Sequence, residues 1–563
     1  RRFYIDSLTK MSKMRPFYAY SLDLRLDNYR WNFLSDDAEK QLQGMAGKSL
    51  QYNSYEGQLD ALELRMLVNT ASDPLLEKLT LRSHKIIADD IDPYRLIRDQ
   101  NLHIGRLIVQ QPFFELAERE GRGSDETSDD EQWSSLQPDM NQLLSRHLKK
   151  IDLRFVHVEE GMLTYLKRSN TDTLNFVRLD SVDFLARNIL VNGKRDRHLN
   201  NVLYADDVDY TVISGKLLFN QPGKQRIEID KAGLSSRDSR MYLQGIRVHA
   251  AESLIDDKNA SHIEAEAERL SFNGLDLNRA YLYGALNIRQ VLPRRAKLKV
   301  FFSNKQKKEE TDTPVMREIL SPYIRSIEVD QIQLPRTELR LVDKKEGEEI
   351  FGTQQLTATI SGFSLNQELL AQQATTATRA FYARDVSLII QDYARETTDG
   401  MYRLQADEIN IGTASRSVGL LNFKMQPLLS RQEVLGRFDH ATSLATIASD
   451  QVSFEGLDFE KLFNHKEWHV QQLDINRPVL EVYREKRLPH DESRRVPPLQ
   501  KMLFGLDQQI KIDKVAISDG LISYAERSPE ANEDGVIDFE QVNVEVQNIT
   551  NHSQALNSTA PMK

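Results

Sequence analysis

The sequence predicts a mainly β fold: an elongated, curled antiparallel β-sheet forming a repeating β-groove, with a few short helices, in three tandem modules of about 180 residues. Three observations lead there. Apolar residues alternate with polar ones at a period of two through most of the chain. The alternation is interrupted by a recurring three-residue step. Landmarks and polar loops return at a long, regular interval.

The stretch 149–166, KKIDLRFVHVEEGMLTYL, carries the short-range pattern. Ile151 and Leu153 are two apart, as are Val156 and Val158, and the parity changes between the pairs. Alternation marks a strand with one buried face, and a three-residue step requires a bend or bulge if the same face is to stay buried. The spacing i, i+2, i+5, i+7 recurs at Leu102, Ile104, Leu107, Val109; at Ile227, Ile229, Ala232, Leu234; and at Ala265, Ala267, Leu270, Phe272. It returns at Ile327, Val329, Ile332, Leu334; at Leu404, Ala406, Ile409, Ile411; at Trp468, Val470, Leu473, Ile475; and at Ile510, Ile512, Val515, Ile517. These positions are the candidate groove lining, and on the residues alone ordinary core packing remains an open alternative for them.

The long interval is set by Tyr18-Ala19, Tyr204-Ala205 and Tyr382-Ala383, each opening a strand pattern. A second landmark follows: Ala88-Asp89-Asp90-Ile91-Asp92 in the first copy, then SFNGLD at 271–276 and SFEGLD at 453–458. LHIGRLIVQQPFFEL from Leu102 then aligns without a gap on WHVQQLDINRPVLEV from Trp468, with Pro112 against Pro478. Proline there ends one strand and starts another. Polar loops follow near 119–137, 303–314 and 485–498, too hydrophilic to bury surface. Short helical patterns are expected after Pro138, Pro314 and Pro498. Each module closes with a strand, a turn and another strand; NFVRLDSVDFLARNI, ending on Asn188-Ile189, resembles DFEQVNVEVQNI, ending on Asn548-Ile549. The expected modules are 1–200, 201–378 and 379–563. About nine short strands per module, stacked at about 4.8 Å, give a sheet about 130 Å long.

Composition narrows the functional classes. Of 563 residues, 40% are hydrophobic and 28% charged, apolar enough to fold. The net charge of −10 argues against a nucleic-acid partner. With no cysteine, disulfide frameworks and thiolate metal sites are excluded. No window has the run of about 18 apolar residues a membrane helix needs. The start at Arg1, without Met, fits a chain from which an anchor or targeting segment has been removed.

No nucleophile elbow, phosphate-binding loop or zinc-protease motif occurs, so no enzyme, catalytic residue, cofactor or metal is expected. The acidic loop Asp125–Glu131 lacks the spaced ligands and turn glycine of a calcium loop. His103 and His469 align across modules at polar strand positions, which predicts outward-facing surface.

One apolar face along so long a sheet, with one short helix per module to cover it, leaves three solutions: a packed solenoid, stacked sheets, or a curled sheet with an open apolar trough. The bulge-like steps favour curling. A long apolar trough calls for a long apolar ligand, and acyl chains fit.

The repeated pattern, as in IDKVAISDGLISYAERSPEANEDGVIDFEQVNVEVQNIT, resembles the AsmA-like family of bacterial envelope proteins, the TamB and YhdP type. In architecture it is similar to the eukaryotic bridge-like lipid transfer proteins. The resemblance implies a periplasmic lipid-transfer bridge, anchored in the inner membrane by a segment outside this chain. Such a bridge carries phospholipids or other acyl-chain lipids along an apolar groove to the outer membrane, with an outer-membrane protein as a further partner. Two alternatives stand beside it: an envelope assembly scaffold holding client proteins by strand addition, and a ligand-free structural solenoid.

Overall fold

In the computed structural model, residues 22–32, 42–68, 76–119, 148–168, 173–191, 205–219, 225–250, 252–258, 261–302, 324–345, 347–366, 382–397, 399–465, 467–489, 506, 508–530 and 533–552 are described. The chain is mainly β, with 25 strands and five short helices among these residues. The polar loop centres and the three segments expected to be helical after Pro138, Pro314 and Pro498 lie outside them, as do the junctions 200/201 and 378/379.

The element order follows a similar scheme three times, with β10 and β11 standing for a single strand in the second run and, among the described residues, one helix in the first run against two in the others. First come β1 (Asp23–Asn32), β2 (Leu42–Asn53), β3 (Gln58–Val68), β4 (Leu76–Asp89), α1 (Pro93–Asp99), β5 (Asn101–Gln110), β6 (Phe113–Arg119), β7 (Lys150–Arg168) and β8 (Thr173–Val191). Next are β9 (Asp207–Phe219), β10 (Gln225–Ile229), β11 (Lys231–Ser235), β12 (Arg240–Ala250), α2 (Glu252–Asp256), β13 (His262–Leu275), α3 (Leu277–Tyr283), β14 (Ala285–Arg294), β15 (Lys297–Phe302), β16 (Ser326–Asp343) and β17 (Glu349–Asn366). Last are β18 (Asp385–Glu396), β19 (Tyr402–Gly412), β20 (Ser417–Pro427), α4 (Arg431–Arg437), β21 (Ser443–Glu455), α5 (Phe459–His465), β22 (Glu467–Asn476), β23 (Val479–Glu485), β24 (Gln509–Arg527) and β25 (Gly535–Thr550). By compactness the chain divides in two: unit 1 is 1–329, 340–350 and 365–370, and unit 2 is 330–339, 351–364 and 371–563.

Neighbouring strands are mostly antiparallel, with a recurring exception. β4 pairs with β5 along its second half and with β6 along its first, so β5 and β6 act as one long strand broken at Gln111-Pro112. β7 then runs parallel to both. In unit 2, β21 pairs likewise with β22 and β23, broken at Arg477-Pro478, and β24 runs parallel to both. A parallel neighbour cannot be joined by a tight hairpin. The sheet is therefore mixed, a refinement that alternation alone does not encode.

The three-residue steps coincide with gaps in the ladders. β5 and β7 pair Ile104 with Leu153 and resume at Arg106 with Phe155. β22 and β24 pair Val470 with Ile512 and resume at Gln472 with Lys514. At each gap a left-handed residue lies on an adjacent strand or just past its end: Asp90 (φ 57), after β4, across from Gly105; Asn188 (φ 55) across from Arg154; Gly456 (φ 65), after β21, across from Gln471; and Asn548 (φ 61) across from Asp513. Glycine, Asn and Asp tolerate this conformation with least strain. A second line of kinks is marked by Gln111, Glu160 and Ser181 in unit 1, and by Arg477, Asp519 and Gln541 in unit 2. Buried Ser83 and Ser449 stitch that line, each donating a hydroxyl to two carbonyls, on Lys85 and Gln110 and on Gln451 and Asn476.

The helices lie where no helical pattern was expected. α1 and α3 begin at the landmark aspartates: Asp92 accepts from the Arg95 amide and Asp276 from the Arg279 amide, each at 3.0 Å. Asp458 does the same for the Lys461 amide at the start of α5.

Candidate functional site: apolar rows across the sheet

Residues directly opposite on neighbouring strands share a face, so the ladders define rows running across each unit. In unit 1 one row reads Leu26, Leu50, Ala61, Ile86, Val109, Val158, Phe184, Tyr210, Leu234, Met241, Phe272, Val291. Beside it runs Leu24, Tyr52, Leu59, Ala88, Leu107, Val156, Ala186, Val208. Neither row contains a charged residue. In unit 2 the rows are Ala358, Leu388, Ile411, Val418, Phe454, Leu473, Val515, Val546 and Leu356, Ile390, Ile409, Leu420, Val452, Ile475, Ile517, Val544. The row lying between these two in sequence faces the other way and reads Thr357, Ile389, Asn410, Gly419, Ser453, Asp474, Ala516, Glu545.

Most row residues are half-buried, neither sealed in a core nor fully open to water. The buried clusters centre on small residues within the rows: Val156, Ala186 and Val208 with Leu107, Leu153, Phe184 and Ile189 around them, and Leu356, Ala358 and Ile390 with Leu334, Leu388 and Ile409 around them. In unit 2, Phe459 and Leu462 of α5 pack against Ile411, Val418, Phe454, Trp468, Val470 and Ile512. That helix covers the middle of the Ala358–Val546 row, at Ile411, Val418 and Phe454.

Most of the expected lining residues fall into this arrangement. Leu102, Ile104, Leu107 and Val109 stand one-to-one beside Ile151, Leu153, Val156 and Val158. Trp468, Val470, Leu473 and Ile475 stand one-to-one beside Ile510, Ile512, Val515 and Ile517. Leu270 and Phe272 pair with Leu243 and Met241, and Ile409 and Ile411 with Ile390 and Leu388. Leu404 pairs with Met425, beyond the kink at Asn422. Ile227 and Ile229 lie on β10, past the break at Asp230, opposite Leu217 and Gly215. On β16, Val329 is buried and Leu334 joins the Leu356 cluster, while Ile327 and Ile332 are half-buried.

The same spacing also occurs on strands outside the expected lining, partly at row positions. These sets include Phe184, Ala186, Ile189, Val191 on β8; Met241, Leu243, Ile246, Val248 on β12; and Val418, Leu420, Phe423, Met425 on β20. The signal was present, diluted by alanines and by short strands.

Three tyrosines bring hydroxyls to unit 1. Burial pushes the Tyr210 phenol up to about 12 and also raises Tyr29 and Tyr52, so all three are neutral at physiological pH. The hydroxyls of Tyr29 and Tyr52 are buried without a hydrogen-bond partner.

The histidines depart from expectation. His103 is 6% exposed, held beside Asp152 at 3.4 Å and Asp90 at 3.6 Å. Burial raises the Asp152 carboxyl, but Lys150 and His103 outweigh it and leave the pKa below the usual range. His469 is half-buried, with its Nδ1 3.1 Å from Lys461 Nζ; burial and that lysine lower its pKa. Asp152 from the neighbouring strand lies against the first ring and Lys461 from α5 against the second, contacts a linear pattern does not show.

At the far end of β23 sits a charged cluster. Glu485, fully buried, accepts from the Arg487 guanidinium at 2.7 and 2.9 Å, from the Arg487 amide at 3.0 Å and from the Tyr483 hydroxyl at 2.8 Å. These bonds, Arg487 foremost, hold its pKa down at about 2. Among the described residues no group of His, Asp and Glu could hold a metal ion, and no helix is long and apolar enough to cross a membrane. The loop Asp125–Glu131 lies outside the described residues.

The chain matches no protein-family profile, no curated protein and no solved structure.

Proposed function

We propose that the chain is a lipid-transfer bridge whose apolar rows carry phospholipid acyl chains while head groups stay in water. The observation behind this reading is the uninterrupted apolar character of the rows in both units. Twelve strands at about 4.8 Å give the longer row in unit 1 a length of about 50 Å. An acyl chain spans about 15 Å, half of a bilayer's hydrocarbon core. Each methylene kept from water contributes about 0.8 kcal/mol wherever it lies on the row. A lipid advancing by one strand exchanges one apolar neighbour for another, so the path is nearly level in free energy.

Periplasmic placement, an inner-membrane anchor outside this chain and delivery to the outer membrane belong to the same proposal. They rest on the resemblance to the AsmA-like envelope proteins. No step of this mechanism needs a catalytic group, a cofactor or a metal.

Photo-crosslinking tests the reading. Phospholipids with a diazirine in the acyl chain should label Ile409, Leu420, Val452 and Ile475. The opposite face, at Asn410, Ser453 and Asp474, should stay unlabelled. Equal labelling of both faces would refute a one-sided lipid path.

A further inference from the structure

In unit 2, α5 stands over one of the apolar rows. Phe459 and Leu462, three positions apart and so on one side of the helix, pack against Ile411, Val418 and Phe454 of the Ala358–Val546 row and against Trp468, Val470 and Ile512 beside it. Phe459 is 9% exposed, so the row keeps it from water as it would keep an acyl segment. The neighbouring row, through Ile409, Leu420 and Val452, has no residue in this cluster.

The helix is fastened firmly at its root and lightly beyond it. Leu457, fully buried, donates its amide to the Arg416 carbonyl at 2.9 Å. The Arg416 guanidinium donates to the carbonyls of Leu457 and Gly456, at 3.3 and 3.2 Å. The Asp458 amide donates to the His469 carbonyl at 2.9 Å. Past that point α5 is held by the Asp458 cap on the Lys461 amide, at 3.0 Å, by Lys461 Nζ against His469 Nδ1, at 3.1 Å, and by the packing of Phe459 and Leu462. Gly456, at φ 65, precedes the root. Seven residues are too few for a helix to persist without such support.

α1 and α3 follow β4 and β13 as α5 follows β21, and they begin at Asp92 and Asp276 as α5 begins at Asp458. At the first and fourth positions after the cap they carry Pro93 and Leu96, and Leu277 and Ala280, where α5 carries Phe459 and Leu462. The bulkiest apolar pair at these positions therefore stands over the row of unit 2.

We propose, resting on the lipid-transfer reading, that α5 is a displaceable lid. Phe459 and Leu462 hold a place on the Ala358–Val546 row that an acyl chain takes when the helix lifts about Gly456 and Leu457. With α5 down, lipid follows the Leu356–Val544 row; with α5 up, both rows are open to it. Lipid binds the lifted state better, so loading the chain with lipid shifts the population toward that state.

Phosphatidylglycerol vesicles carrying a diazirine-labelled phosphatidylcholine, mixed with the whole chain, test the lid. On the unmodified chain Ile409, Leu420 and Val452 should label, and Val418 and Phe454 several-fold less. Asp458→Ala with Leu462→Ser removes the cap and part of the apolar grip. That variant should label several-fold more at Val418 and Phe454 and equally at Ile409, Leu420 and Val452, with its circular dichroism spectrum retained. On the unmodified chain the Leu462 amide, which donates to the Asp458 carbonyl at 3.0 Å, should exchange its hydrogen about tenfold faster once vesicles are added. A helix that only covers a core would exchange no faster. Equal labelling of both rows on the unmodified chain would overturn the proposal. So would label at Ile409, Leu420 and Val452 with no gain at Val418 and Phe454 in the variant, or with Leu462 exchange indifferent to vesicles. Absence of label on both rows would refute the lipid-transfer reading itself, and the lid with it.

Discussion

Placing one carboxylate on the row is the sharpest perturbation of the apolar face. Val515 is 8% exposed, opposite Leu473 on one side and Val546 on the other. Val515→Asp forfeits the burial of the valine, about 2 kcal/mol, and places an acid where both cross-strand neighbours are aliphatic. If desolvation raises that acid by about two units, the ionised form loses about a further 3 kcal/mol at neutral pH. The expected deficit is therefore roughly 5 kcal/mol at pH 7 and about 2 kcal/mol once the acid is protonated. The sign follows from linkage: a folded pKa raised above the unfolded value makes the defect largest above the folded pKa, and it shrinks as the pH falls. Repeat chains need not unfold in one step, so amide hydrogen exchange is the assay. Protection in β24 and β25 should fall by about a thousandfold or more at neutral pH and recover in part near pH 5. The control Ser518→Asp, at an exposed position of the same strand, should change stability by less than about 0.5 kcal/mol. Unchanged, pH-independent protection in Val515→Asp would refute the assignment of this face as apolar and water-poor.

The remaining predictions concern the framework. Glu485, with its pKa near 2, contributes stability that is fully present above the unfolded carboxylate value and is lost as the pH falls from about 4.5 toward 2, by roughly 2–3 kcal/mol; Glu485→Gln should flatten that part of an acid-unfolding curve. Gly245 has φ 60 and faces the Asp230 carboxylate that pairs with Arg247 at 2.6 Å. Gly245→Ala should destabilise by about 1–2 kcal/mol from backbone strain, and by more if the ion pair is displaced, as read by urea denaturation. Asp276→Ala removes the cap of α3 and should lower stability by about 1 kcal/mol, with exchange of the Arg279 amide accelerated.

The strand pattern was legible because it follows from sterics. Two apolar pairs separated by a three-residue step can share one face only if the backbone kinks between them, and Asn188 and Asn548 mark left-handed kinks on the strands alongside, as Asp90 does just past the end of β4. The landmark aspartates were visible as a repeat, but their role as caps was not, because the seven-residue helices they start are too short for apolar periodicity to register. Strand direction was hidden: Ile104 beside Leu153 looks the same in sequence whether the neighbour runs parallel or antiparallel. Neighbours distant in sequence were hidden too. His103 occupies a polar strand position, and its burial depends on Asp152, a residue of the parallel partner strand. The rows extend beyond the expected lining for a related reason: on β8 and β21, Ala186 and Ser449 interrupt a spacing that the fold nevertheless keeps.

Lipid occupancy, measured by native mass spectrometry on the purified chain, tests the central claim most directly. The account predicts several phospholipids per chain, retained after detergent removal and lost when Asp is placed at Ile409, Leu420 and Val452 with folding intact by circular dichroism. A lipid-free chain, or occupancy indifferent to those substitutions, would contradict it and leave the apolar rows as packing alone.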